Sequence, residues 1–250
     1  MPDKMSSYHF LVNSLEVSAS YYQEDIDHLF IPLLKQLTNM KKNTKARLLV
    51  YLAAPPGVGK STLSSFLEFL SKTKDDVGEI QAIGLDGFHY PQEYIRSHTA
   101  IIDGVEVPMA DVKGCPETFD LDKLKLKIEK LNNENIQWPI YDRTLHDVVE
   151  DQILVTGEIV LIEGNWLLLD EGGWEDLEVY CDYSIFIKAD ESMLKNRLIQ
   201  RKIKGGLSEE KSVEFYERSD RKNIKRVLEH SRKADLELEL TENGKYMIRR

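Results

Sequence analysis

Over residues 14–40 apolar side chains recur at Leu15, Val17, Tyr21, Ile26, Leu29, Phe30, Leu33, Leu34 and Leu37. A return of roughly 3.6 positions predicts a helix with one buried face, broken or kinked at Pro32. A polar, basic connector at residues 41–45 ends this pattern. Residues 47–54 (RLLVYLAA) then form a nearly continuous apolar run, as expected of a strand buried on both faces. Residues 79–85, 135–141, 158–164 and 183–188 read as further strands. Between them the spacing predicts helices over 60–71, 121–131, 191–203 and 208–231. Asp120 is placed to cap the second of these, and Gly205-Gly206 to separate the last two. Residues 86–119 read as a long irregular insert with a turn at Asp103-Gly104, and Asn243-Gly244 closes a terminal hairpin.

Strands alternating with helices imply a three-layer α/β/α fold with a mostly parallel central sheet. Ligands of such sheets bind outside the carboxyl ends of the strands, so the residues at those ends carry the functional question. The expected division is an N-terminal helical extension over residues 1–46 and a second, larger unit over 47–250.

Composition narrows the function classes. The chain has 250 residues, 42% apolar and 30% charged, with a formal net charge of −10. An acidic chain is a poor general binder of nucleic acid or of anionic membrane, both of which are polyanions. No apolar stretch approaches the roughly 20 residues that span a bilayer, and the first ten residues lack a basic-then-apolar secretion signal. Cytoplasm is the expected compartment. Cys115 and Cys181 have no metal-ligand spacing and are expected to be reduced thiols.

The first apolar strand runs into Ala54-Pro55-Pro56-Gly57-Val58-Gly59-Lys60-Ser61-Thr62. This is a phosphate-binding loop (P-loop) pattern, with Ala54 in the usual place of the first glycine. Gly57 and Gly59 permit the backbone conformations that aim successive N–H groups at one phosphate. The helix opening at Lys60 adds its positive end. Lys60 reaches the β- and γ-phosphates of a nucleotide and Ser61 offers an oxygen to Mg²⁺; Val58 and Thr62 complete the loop. Asp86, at the end of the second strand, is placed to accept or orient the proton of an attacking hydroxyl.

DGFHY (residues 86–90), KGCPETFD (113–120), PIYDR (139–143) and VLIEGNWLLL (160–169) together resemble the uridine kinase, phosphoribulokinase and bacterial pantothenate kinase superfamily of P-loop kinases. Within it the chain looks most similar to the nucleoside- or nucleotide-kinase-like branch, also called fructose transport system kinase-like. The resemblance covers roughly residues 47–240 and implies a P-loop kinase domain that uses ATP and Mg²⁺. It implies Asp86 as the catalytic aspartate, Glu163 at the Walker B position near Mg²⁺, and His89, Lys113, Glu117, Tyr141 and Arg143 on the acceptor side. It also implies a helical lid over about residues 190–206, with Arg197 and Arg201 four apart on one helical face. There they would stabilise charge on the transferring phosphoryl group, with Gly205-Gly206 as a hinge. Asp220 and Asn223 fall in a further resembling segment to which no chemistry attaches, and the segment 231–235 sits where the family often contacts adenine.

A GTPase would carry an Asn-Lys-x-Asp motif, and the sequence has none. Asp170-Glu171-Gly172-Gly173 formally fits a switch-loop Asp-x-x-Gly but reads as a glycine turn. A regulatory nucleotide-binding module without catalysis is disfavoured by Lys60, Ser61 and Asp86 standing together. The expectation is transfer of the γ-phosphate to a hydroxyl of a small metabolite, sugar-like or nucleoside-like in preference to pantothenate. The N-terminal segment is expected to cover the sheet edge or to mediate homodimer contacts.

Overall fold

The computed structural model describes residues 4–12 and 15–249. It opens with an antiparallel hairpin of β1 (Met5–Val12) and β2 (Leu15–Tyr22). A helical stretch follows: α1 (Gln23–Asp25), a π-turn (Ile26–Phe30) and α2 (Ile31–Lys42). Then come β3 (Leu48–Ala53), α3 (Lys60–Lys72), β4 (Ile80–Gly84) and a 3₁₀ turn at Leu85–Phe88. The insert holds α4 (Gln92–Ser97), β5 (Thr99–Ile102) and β6 (Val105–Pro108). It leads to α5 (Leu121–Leu131), the antiparallel pair β7 (Ile136–Asp142) and β8 (Asp147–Val155), and β9 (Ile159–Gly164). The chain finishes with β10 (Tyr183–Ala189), α6 (Glu191–Lys204), α7 (Glu209–Phe215), a π-turn (Tyr216–Asp220), α8 (Arg221–His230), β11 (Leu236–Leu240) and β12 (Tyr246–Ile248).

The central sheet has the order β12-β11-β10-β3-β9-β4. Only the edge strand β12 runs antiparallel to its neighbour. Successive residues of β3 point to opposite faces, as strand geometry requires. Leu48, Val50 and Leu52 join the core formed with α2, α3 and α6, while Leu49, Tyr51 and Ala53 join the core formed with α5, Trp138 and Trp166. This is the expected three-layer α/β/α arrangement. Asp120 caps α5 by accepting from the Lys123 N–H at 3.0 Å.

Three expectations are corrected. The N-terminal segment is not wholly helical, because residues 15–22 form β2; Ser14 lies outside the described residues. Leu15, Val17, Ala19 and Tyr21 fit a period of two as well as they fit a helix, and pairing with β1 decides between them. The helix expected over 208–231 is α7 and α8 joined by a π-turn. The insert over 86–119 is only partly irregular, for it contains α4 and the β5–β6 hairpin, turned at Asp103-Gly104. Pro32 lies in the first turn of α2, where the helix changes from π to α and a missing N–H costs least. The two cysteines are free, and burial pushes both thiols up to about 12. Among the described residues no helix is long and apolar enough to cross a membrane.

Candidate active site

The loop between β3 and α3 takes the shape its glycines allow. Gly57 and Gly59 have φ of +88° and +97°, a region where a side chain is strained. A Cβ at Gly57 would stand 3.0 Å from Leu198 Cγ and 3.3 Å from the Leu194 carbonyl, so α6 rests directly on the loop. A Cβ at Gly59 would meet nothing within 4 Å, which leaves the mouth of α3 open to a ligand. Ala54 is fully buried, packed in the core below the loop. Its backbone lies outside the left-handed region, so a methyl group is tolerated where a glycine is usual. Arg197 Nη1 donates to the Val58 carbonyl at 3.1 Å and so braces the loop from α6.

Sheet order brings the acidic residues to this loop. β9 lies between β3 and β4, and Glu163 on β9 pairs in register with Leu52 and with Gly84. Its carboxyl group lies within reach of the Ser61 side chain, which lowers its pKa in part. Asp86 follows β4 in the 3₁₀ turn. That turn is pressed against β7, since a Cβ at Gly87 would fall 2.3 Å from the Pro139 carbonyl oxygen. The Trp138 indole N–H donates to the Gly84 carbonyl at 2.9 Å and fixes the same approach. Just beyond β7, Arg143 Nη2 stands 3.9 Å from Asp86 Oδ2.

The two carboxylates are held in opposite charge environments. Burial pushes Glu163 above the ordinary carboxylate range, a rise sustained by Asp86 and only partly offset by Lys60, Ser61 and Arg143. Burial would raise Asp86 too, but His89, Lys60, Arg143 and Arg201 overturn this and hold it below that range. One site thus contains an aspartate kept ionised and a glutamate made reluctant to ionise without a cation nearby.

His89 packs against Phe119, with ring centroids 3.8 Å apart. Its Nδ1 lies 2.9 Å from the Asp86 carbonyl, which places a proton on Nδ1 and leaves Nε2 as acceptor whenever the ring is neutral. Burial lowers the basicity of His89. Lys113 Nζ donates to the Tyr141 hydroxyl at 3.0 Å and to Gln92 Oε1 at 2.5 Å. His89, Lys113, Tyr141 and Arg143 therefore gather around Asp86. Glu117 is engaged elsewhere: Arg226 Nη1 donates to both of its oxygens, at 2.8 and 3.1 Å, and Arg226 Nε bonds Glu171 at 2.6 Å. The two arginines of α6 also separate. Arg197 is bound to the P-loop backbone, whereas Arg201 is in electrostatic reach of Arg143, Asp220 and Asp86.

Two residues of this group escape sequence reasoning. Gln92 orients Lys113, and Asp147 Oδ1 accepts from the Gln92 N–H at 2.9 Å. Their positions in the chain give no motif, and only the folding of β8 beside α4 brings them together. Asp170–Gly173 is a turn with φ of +67° at Gly172 and +88° at Gly173, and Glu171 is paired to Arg226 and His230.

Residues 49–243 match the model of the phosphoribulokinase/uridine kinase family. The chain belongs to that family. An uncharacterized Escherichia coli protein, YggC, is 42% identical over 94% of this chain and 96% of its own. A candidate uridine kinase of Schizosaccharomyces pombe is 31% identical over 71% of this chain and 77% of its own. Among solved structures, a candidate fructose transport system kinase from a Silicibacter species superposes with a TM-score of 0.71 at 29% identity, covering 82% of this chain and 97% of that one.

Membership makes the chain a P-loop kinase that binds ATP, and the residues present fit a magnesium nucleotide. Among the described residues no group of three or more His, Cys, Asp or Glu forms a metal cage. Mg²⁺ needs none, because it keeps several waters and takes phosphate oxygens with one or two protein ligands. The Ser61 hydroxyl and the Glu163 carboxylate, side by side at the start of α3 and the end of β9, supply that kind of donor set.

Proposed function

We propose that this kinase transfers the γ-phosphate of ATP to a hydroxyl of a small, sugar-like or nucleoside-like metabolite. The observation that carries the reading is the placement of Asp86: two strands from the P-loop, with Glu163 between them, and in charge contact with Lys60. In this reading Gly57 to Thr62 cradle the phosphates, and Lys60 and Arg201 offset the charge that spreads over the transferring group. Bound Mg²⁺, held through Ser61 and Glu163, would neutralise the phosphate oxygens. The acceptor oxygen attacks the γ-phosphorus in line, its proton passes to Asp86, the bond to the β-phosphate oxygen breaks, and ADP leaves. His89, Lys113, Tyr141 and Arg143 contact the acceptor. Glu117 does not join this set, since Arg226 occupies its carboxylate.

The test is a screen of sugars, nucleosides and pantothenate for acceptor-dependent ADP release. Asp86→Asn is expected to lower release with the true acceptor by about 10²–10⁴-fold, the usual worth of a general base, with ATP binding retained. Transfer at the wild-type rate by that variant would remove Asp86 from the proton-accepting role.

A further inference from the structure

We propose that the hydroxyl acceptor of this kinase is an anion and that Lys113 binds its carboxylate or phosphate group, a claim that rests on the kinase reading above and narrows it. Lys113 lies near the end of the insert, and the backbone beside it is held from two sides. The Trp166 indole N–H donates to the Gly114 carbonyl at 3.1 Å, and the Gly114 N–H donates to the Thr118 hydroxyl at 3.0 Å. The Lys113 side chain is half-buried. Its ammonium donates to Gln92 Oε1 at 2.5 Å and to the Tyr141 hydroxyl at 3.0 Å, and stands 4.7 Å from the centre of the Tyr141 ring.

An ammonium has three donors, so one is left over, and both partners are neutral. Lys188 and Lys202 each have a carboxylate, Glu237 at 3.1 Å and Asp220 at 3.3 Å. Among the described residues Lys113 has no such ion pair. The acid at the end of its hydrogen-bond chain, Asp147, accepts through Oδ1 from the N–H groups of Gln92 and Val148, at 2.9 and 2.8 Å. Arg143 adds a second cation, and its one ion pair among the described residues is to Asp86 at 3.9 Å, longer than a hydrogen bond. Two cations thus share one carboxylate, and that carboxylate is needed for the acceptor's hydroxyl. Taking a charge out of water is costly unless it is paired, so a mere tie between α4 and β7 would be made better by an uncharged side chain. The charge is accounted for when the ligand brings the missing anion.

The same contacts locate that anion. The Tyr141 hydroxyl meets Lys113, the Tyr141 ring lies 5.7 Å from that of His89, and His89 Nδ1 lies 2.9 Å from the Asp86 carbonyl. The charged end at Lys113 and the reacting hydroxyl at Asp86 therefore sit at two ends of one wall. This suits a small sugar acid or sugar phosphate, whereas an uncharged nucleoside would leave Lys113 unpaired.

The experiment measures acceptor-dependent ADP release at saturating ATP-Mg²⁺ for matched compounds that differ in charge: glycerol, glycerate and glycerol phosphate; ribose, ribonate and ribose phosphate; pantothenyl alcohol and pantothenate. A charged member is expected to have a KM at least about tenfold below that of its uncharged twin, as for one charge-assisted hydrogen bond gained. Whether the acids or the phosphate esters lead tells carboxylate from phosphate. Lys113→Gln is expected to raise the KM of the charged member about 10–100-fold, far more than it raises the twin's and with a smaller change in kcat, and Lys113→Arg to recover part of it. Added KCl is expected to raise the charged member's KM more than the twin's, because salt screens the contact. An uncharged twin with the lower KM, equal rises for both twins in Lys113→Gln, or a Lys113→Gln that lowers kcat at unchanged KM would each overturn the inference and leave the kinase reading standing. Should Lys113→Gln not fold, the salt dependence of the wild-type chain decides, and equal KM shifts for the twins count against it. No acceptor-dependent release from any compound, charged or uncharged, would overturn the kinase reading and this inference with it.

Discussion

The two acids at the strand ends place opposite demands on stability. Asp86 has a depressed folded pKa, so it contributes stability above its unfolded value of about 3.9 and loses it as pH falls through the folded value. Glu163 has a raised folded pKa, so its ionised form costs stability at neutral pH and the cost is relieved on acidification. Asp86→Asn is therefore expected to lower the melting temperature at pH 8, and Glu163→Gln to raise it. A gain of about 1 kcal/mol would move the midpoint by roughly 2–4 °C in a chain of this size. The Glu163→Gln gain is expected to shrink at pH 5, where the wild-type acid is closer to neutral, and the variant to lose Mg²⁺-dependent ATP binding. Thermal melts at the two pH values with and without ATP-Mg²⁺ check all four expectations. A Glu163→Gln protein less stable than wild type at pH 8 would show that its carboxylate holds the loop together in the absence of nucleotide.

Elements meet at the site through glycines that leave no room for a side chain. Gly87 lets the Asp86 turn touch the backbone of β7 at Pro139, and Gly57 lets α6 lie on the P-loop. Gly87→Ala is expected to cost about 1–3 kcal/mol, the usual penalty of overpacking, and to lower transfer further by moving Asp86 away from Arg143. Denaturant unfolding beside the transfer assay separates the two effects. Gly87 is legible in the sequence as half of an Asp-Gly turn, but its reason is not, because Pro139 is fifty-two positions away and meets it only after β7 has formed. Arg197 and Arg201 show the same limit. Helical spacing puts them on one side of α6, yet one bonds the Val58 carbonyl while the other is in electrostatic reach of Arg143, Asp220 and Asp86.

At the scale of the molecule, the N-terminal segment that precedes the family match is part of the core. Tyr8, Phe10, Tyr21 and Phe30 close around Phe66 on α3, with Tyr21 stacked on it at 4.0 Å between centroids. Tyr22 donates to the Asn243 carbonyl at 3.0 Å, and Lys245 pairs with Glu24 at 3.0 Å, tying the same segment to the turn before β12. Because α3 begins at Lys60, this packing supports the helix whose mouth takes the phosphates. Phe66→Ala is expected to cost about 3–5 kcal/mol, measured by denaturant unfolding, and a cost below about 1 kcal/mol would show that the hairpin is only lightly docked.

Local chemistry was enough to place the phosphate loop, the buried strands of the parallel sheet, the Asp120 cap and the acid at the end of β4. Each of these depends on residues adjacent in the chain: a run of apolar positions, a glycine spacing, an N-cap. The choice between strand and helix for residues 15–22, the engagement of Glu117 by Arg226 and the different surroundings of Arg197 and Arg201 depended on residues brought together from far along the chain. Side-chain charge and the period of a short segment are compatible with several partners, and the tertiary contacts select one.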